Sequence, residues 1–215
     1  MLSSLRCIWM KHDEMREYLN PLTRPGKEWM EAGENHMGIV YFVRHGQTVW
    51  NRENKICGIT DSPLTELGHQ QAMETGRRIL EEGIRADVIL HSPLQRARDT
   101  AGHISDLTGI PLREEPRLIE QNFGFWESTP KDSEGFLRAR GSFVTRFGNG
   151  ESMMQLAQRI YNLLDELREE SDRKTCILVA HNGLARVVNS YFYDMTNEEY
   201  AAFGINNCEI RRYEF

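Results

Sequence analysis

From residue 38 onward the chain alternates short, almost wholly apolar runs with longer amphipathic stretches. Ile39 to Val43 are all apolar or aromatic, which predicts a strand buried on both faces. Residues 64–83 predict a helix, with Thr65 as N-cap and Gly83 as its stop. Residues 86–91 predict a second strand. Ser92-Pro93 is then expected to cap and open a helix to about Leu107, with proline at the first position. Residues 111–120 read as extended, and Pro116 argues against a central strand there. Residues 121–150 show weak period. Residues 151–171 predict an amphipathic helix, because Leu156, Ile160, Leu163, Leu164 and Leu167 recur at helical spacing. Residues 175–180 predict another buried strand, a helix follows from about Leu184, and 208–215 predict an edge strand. Apolar strands separated by helices imply an α/β fold: a three-layer α/β/α arrangement around a mostly parallel central sheet.

Residues 1–36 break this pattern. They carry many charges, two prolines and no sustained period, and read as a poorly patterned extension to a single domain over 37–215. The abrupt change at Met37 raises the hypothesis that the native chain starts there.

Composition narrows the function classes. A net charge of −6 gives no global basic field, so nucleic acid is not an expected partner, although small anions could bind where positive charge is concentrated. No run approaches the roughly 18 apolar residues of a membrane span, and the N-terminus lacks the pattern of a signal peptide. Cys7, Cys57, Cys176 and Cys208 show neither close pairing nor metal-type spacing, which fits a reduced, cytoplasmic compartment.

Candidate chemistry lies at the carboxyl ends of the predicted strands, where ligands bind in open α/β sheets. The first strand delivers Arg44 and His45, the second His91 and Ser92 with Arg96 one turn later, and the third His181. Two arginines and two or three histidines at one sheet edge call for an anion, since guanidinium forks match phosphate oxygens. No metal is needed to explain the cluster, and two arginines would repel a cation.

Six blocks in order make a specific resemblance: "VRHGQTVWN" (43–51), "DSPLTELGHQQA" (61–72), "HSPLQRARDTA" (91–101), "RLIEQNFGFWES" (117–128), "GES" (150–152) and "VAHNGLAR" (179–186). Together they resemble the histidine phosphatase superfamily, also called the phosphoglycerate mutase-like family. The resemblance implies that His45 is a nucleophile forming a phosphohistidine, with Gly46 leaving room for the phosphate and the turn, and for a ring-to-backbone bond that fixes the tautomer. Arg44, Arg96 and His181 would hold the phosphate oxygens, Asn51 would touch the phosphate or cap a turn, and Glu120 would be the proton donor. Glu114, Glu115 and Glu127 compete with Glu120 by position alone, and Glu127 reads as structural or as a surface group. Burial beside a phosphate would raise the pKa of Glu120.

Some positions depart from the family pattern. Asn182 and Ser128 stand where glycine is common. Asn182 could adopt a left-handed backbone, narrow the pocket or touch substrate, and Ser128 puts the local lid conformation in question. His91 replaces a serine, with a pocket or a structural role open. Cys57 replaces a glutamine and could line the entrance. Only 29 residues separate Glu120 from Gly150, a short lid over 121–150. That length and "RHGQT" favour a metal-independent phosphomonoesterase acting on a small phosphorylated metabolite without a cofactor. A phosphoglycerate mutase is the alternative, and an inactive binding module a further one. Lys131, Arg138, Arg140 and Arg146 could read a second substrate anion or lie on a solvated surface. Monomer and homodimer both stay open.

Overall fold

The computed structural model describes residues 38–169 and 174–215. The expectations for residues 1–36, for Met37 and for the last two residues of the helix predicted to 171 lie outside the described residues. The chain forms β1 (Ile39–Arg44), α1 (Val49–Arg52), α2 (Glu66–Glu81), β2 (Val88–His91), α3 (Gln95–Thr108) and β3 (Leu112–Glu114). It continues through α4 (Glu134–Arg140), α5 (Met153–Glu169), β4 (Thr175–Ala180), α6 (Asn182–Phe192), α7 (Asn197–Ala202) and β5 (Ile210–Glu214). Sheet order is β3-β2-β4-β1-β5, with four parallel strands and β5 antiparallel on the β1 edge.

Strand alternation sorts the sheet into two faces. Val40, Phe42, Leu90, Leu178 and Ala180 pack with Leu156, Ile160 and Leu164 of α5 and Leu184 and Val188 of α6. Val43, Ile89, Ile177 and Val179 pack on the other face with Ile79 of α2 and Ala97, Ala101 and Ile104 of α3. Each face is therefore covered by two helices, which is why the strands read as nearly continuous apolar runs. Connections leave β1 toward β2 and β4 toward β5, in opposite directions, so the crevice where ligands settle opens between β1 and β4.

Several local expectations hold. Thr65 caps α2 by accepting the Gly68 N–H at 3.1 Å, and Gly83 beyond its end adopts φ +66°. Others change. Helix α3 starts at Gln95, not at Pro93, because Ser92 turns its hydroxyl toward His181 and the Leu94 amide. Asp61, from a distant loop, accepts the Gln95 N–H instead. Helix α6 begins two residues earlier than predicted, at Asn182, which is helical and not left-handed. Helices α1, α4 and α7 span 4, 7 and 6 residues, too short to show a period; α1 and α7 rest on capping boxes at Thr48 and Thr196.

The stretch 121–150 carries its own small core. Ile56, Phe136 and Phe147 are buried there against Phe123 and Trp126, and Phe123 meets Phe147 edge-on at 5.1 Å between ring centroids. Among the described residues no helix is long and apolar enough to cross a membrane.

Ser128 keeps the left-handed backbone that a glycine would supply, at φ +68°. Its side chain is exposed, so it gains no burial to offset that conformation. Left-handed backbone costs a non-glycine residue about 1–2 kcal/mol, while glycine loosens the unfolded chain by a fraction of that. Ser128→Gly is expected to stabilise the fold by roughly 0.5–1 kcal/mol in denaturant titration; equal or lower stability would show that the strain is relieved elsewhere.

Candidate active site

Parallel register sets the site. Arg44 pairs with Ala180 and His91 with Val179, so the residues that follow, His45, Ser92 and His181, emerge at one level. The His45 N–H extends the ladder to the Ala180 carbonyl at 2.9 Å, and the His45 and His181 rings lie 5.1 Å apart.

His45 is 4% exposed, and its Nδ1 lies 2.7 Å from the Gly46 carbonyl. A carbonyl only accepts, so Nδ1 carries the proton and Nε2 keeps its lone pair. Burial, then the Arg96 and Arg44 charges, hold its pKa well below the ordinary histidine value. The ring is thus neutral with a free nucleophilic nitrogen.

Gly46 serves the turn, as expected, and its carbonyl takes the ring-to-backbone bond from His45. A Cβ there would lie 2.4 Å from the Gly68 carbonyl oxygen, so its bareness also lets α2 pack against the turn. The Gly46 N–H donates to Thr100 Oγ1 at 3.0 Å, tying the same turn to α3. Gln47 and Thr48 also shape this turn: the Thr65 hydroxyl donates to Gln47 Oε1, and Thr48 caps α1.

Five buried side-chain N or O atoms lack a hydrogen-bond partner among the described residues: Arg44 Nε, Arg96 Nε, His181 Nδ1, Arg186 Nε and Ser133 Oγ. Native proteins leave few such groups, and four of the five are nitrogens of Arg44, Arg96, His181 and Arg186, which are open to water or to a bound anion. Arg44 spends Nη1 on the Ile205 carbonyl at 2.6 Å. Arg96 is wholly buried and donates to the Thr60 and Gly58 carbonyls at 3.1 and 2.7 Å and to Asp61 at 3.2 Å. Ser92 Oγ accepts the Leu94 N–H and lies 2.8 Å from His181 Nε2; when the hydroxyl donates to Nε2, the His181 proton sits on the unpartnered Nδ1. Burial, then the Arg96 charge, keeps His181 neutral as well, with its pKa well below the ordinary value.

Glu120 is 5% exposed; Oε1 accepts the Gln121 N–H at 2.9 Å and Oε2 the Gly183 N–H at 3.1 Å. Burial raises its pKa against the opposing pull of those bonds and of Arg96. Gly183 permits the approach, since a Cβ there would lie 2.4 Å from Glu120 Oε1. Arg44, His45, Asn51, Glu120 and Asn182 border one cavity, while Arg96 and His181 are fully covered and do not line it. Asn51 takes the capping role, its Oδ1 closing the α1 capping box and accepting from Asn207, and it also borders the cavity. Asn182 accepts the Ile205 N–H at 2.9 Å, bracing the wall that also holds Arg44.

The remaining positions separate cleanly. Glu114 is exposed on β3, and Glu115 pairs with Arg117. Glu127 accepts the Ile59, Thr60 and Phe123 N–H groups, a structural strut as anticipated. His91 binds the Ser92 carbonyl and stays out of the cavity. Cys57 borders the cavity, its thiol pushed up to about 11 by burial. Lys131 and Arg140 line it, whereas Arg138 pairs with Glu134 on the surface and Arg146 is exposed. Sequence reasoning gave no role to Arg186, which also lines the cavity. Its signal was an arginine inside the apolar stretch from Leu184 to Val188.

Fold and site together define an α/β protein with a cluster of buried arginine and histidine side chains at the carboxyl end of its sheet, and a neutral histidine among them. The chain belongs to the histidine phosphatase superfamily, whose branch 1 model matches residues 40–215. It is similar to a probable phosphoglycerate mutase of Yersinia pestis, at 33% identity over 82% of this chain and 84% of that protein. Among solved structures it resembles a mycobacterial glucosyl-3-phosphoglycerate phosphatase complexed with VO3, with TM-score 0.71, 28% identity and coverage of 81% and 91% of the two chains. It also resembles an Entamoeba histolytica phosphoserine phosphatase in complex with 3-phosphoglyceric acid, with TM-score 0.71, 28% identity and coverage of 82% and 90%.

A histidine whose folded pKa is depressed contributes stability that is fully present above its unfolded value of 6.5 and is lost as pH falls through that value toward the folded one. His45→Gln is expected to flatten the decline of unfolding free energy below pH 6.5 by up to about 1.4 kcal/mol per pH unit. Parallel wild-type and variant slopes would mean that His45 protonates as readily folded as unfolded.

Proposed function

We propose that this chain is a phosphomonoesterase that hydrolyses small phosphate esters through a phosphohistidine at His45. What carries the reading is the set of three unpartnered buried donors, Arg44 Nε, Arg96 Nε and His181 Nδ1, grouped about a neutral histidine with Nε2 free. A phosphoryl group supplies the acceptor oxygens those donors lack, and each charge-assisted bond is worth about 1.5–3 kcal/mol. Such donors, fixed before the reaction, stabilise charge as it builds in the transition state.

In the first step His45 Nε2 attacks phosphorus in line and the P–O ester bond breaks. Protonated Glu120 gives its proton to the leaving oxygen, and the upward shift that burial gives its pKa favours the protonated form. In the second step Glu120 takes a proton from water, the resulting hydroxide attacks phosphorus, and the P–N bond breaks to release phosphate and restore His45. The donor set is all cationic or neutral, so the two steps need no metal ion.

Hydrolysis is favoured over mutase chemistry by the short 29-residue connection from Glu120 to Gly150, since a mutase must keep water from its phosphoenzyme. The likeness to the Yersinia probable phosphoglycerate mutase supports phosphoryl transfer between hydroxyls as the second reading. Rapid acid-sensitive labelling separates the outcomes. Phosphohistidine is expected in the wild type and absent in His45→Ala, with turnover reduced by at least about 10³-fold. Free phosphate should be the product with 3-phosphoglycerate even when a bisphosphate primer is present; isomerisation under those conditions would favour the mutase. Glu120→Gln is expected to lower kcat about 10²–10⁴-fold and to remove the alkaline limb of the pH profile. An unchanged limb would assign the acid role to another group.

A further inference from the structure

The cavity has a second cationic end that phosphoryl chemistry does not use. Arg186 is 8% exposed, its Nε is buried without a partner, and none of its nitrogens makes a hydrogen bond or ion pair to a described residue. A buried guanidinium left this way is costly unless an anion pairs with it. Arg140, arriving from α4, lines the same cavity and commits one nitrogen to the Ala201 carbonyl at 3.0 Å. The two positive charges oppose one another: burial, then Arg140, pushes the Arg186 pKa down to about 10. Glu120 is the single acidic residue on the wall, and both of its oxygens already accept backbone N–H groups. Ile56, Phe123, Phe136, Met153 and Tyr200 supply apolar surface to the same cavity.

We infer that Arg186 and Arg140 form a second oxyanion subsite, so that the substrate is a phosphate ester whose body also bears a carboxylate or a second phosphate. This rests on the phosphatase reading for the position of the reacting phosphate, but not on turnover. An oxyanion between the two guanidinium groups satisfies the orphaned Arg186 donor and relieves the repulsion between the arginines. The apolar side chains accommodate a short carbon body. Arg186 lies on α6 one turn after Gly183, whose N–H holds Glu120, so anion binding at Arg186 also locates the ester relative to the proton donor.

Three non-hydrolysable phosphonates test this by calorimetry on the full chain: propylphosphonate, 3-phosphonopropionate and propane-1,3-bisphosphonate. The second oxyanion is expected to tighten binding at least about tenfold over propylphosphonate, with the tighter of the two naming carboxylate or phosphate as its source. Arg186→Gln and Arg140→Gln should each shrink that ratio to below about threefold, and Arg186→Lys should restore part of it. The ratio is the readout, so a general loss of affinity cancels. Equal affinities in the wild type, or a ratio unchanged in both glutamine variants, would overturn the inference. Equal wild-type affinities overturn the inference even if neither glutamine variant folds. Preferential binding without phosphohistidine formation would leave the subsite standing while sinking the phosphatase reading.

Discussion

Arg96 is a guanidinium with no exposed surface, and much of the molecule is arranged to hold it there. One carboxylate, Asp61, sits against it; its other partners are the carbonyls of Gly58 and Thr60. Asp61 offsets part of the charge and the carbonyl dipoles solvate it without neutralising it, so its field still acts on what lies nearby. That field helps keep His45 and His181 unprotonated. The loop presenting those carbonyls is gripped from the other side by Glu127, which takes the Ile59 and Thr60 N–H groups. Gly58 must be bare, because a Cβ would lie 2.4 Å from the Gln121 carbonyl and from Glu127 Oε1. Asp61, in turn, starts α3 by accepting the Gln95 N–H. The strut, the loop, the helix start and the neutral imidazoles therefore form one connected arrangement around a single buried charge.

Much of this was legible along the chain, and the reason is the parallel sheet. A strand covered on both faces must be apolar throughout, so the polar residues that end it stand out, and Arg44, His45 and His181 could be placed at one edge before any coordinates. The resemblance located Glu120, which pattern alone does not separate from Glu114 and Glu115. What escaped was contact between distant segments. Nothing local marks Gly46 as the seat for Gly68, or Ser92 as the hydroxyl that orients His181 instead of capping α3. Arg186 sat in plain view within an apolar helix, but the cavity it faces is closed by α4, and a helix of 7 residues leaves no periodic trace. The stretch 121–150 looked irregular because it is held by edge-on aromatic contacts, which impose no repeat.

The division of the cavity frames how chemistry and selectivity are shared. In the proposed reading the sheet edge supplies the reacting group and the oxyanion donors from rigid elements, while α4 and α7 bring Arg140 and Tyr200 to the same cavity. Rigid elements fix geometry more tightly than loops, so in the proposed reading the end around His45 is the more firmly positioned part of the cavity. Substitutions on the far wall would change which ester is selected without moving His45 or Glu120.

The central claim is that the orphaned donors of Arg44, Arg96 and His181 converge on a phosphoryl group bonded to His45 Nε2. A crystal structure of the protein with orthovanadate tests it most directly. The account predicts vanadium bonded to His45 Nε2, with its oxygens within hydrogen-bond distance of Arg44, Arg96 and His181 Nδ1 and one apical oxygen facing Glu120. Vanadate bonded elsewhere, or seated at His45 while Arg96 and His181 keep their donors unpartnered, would contradict it.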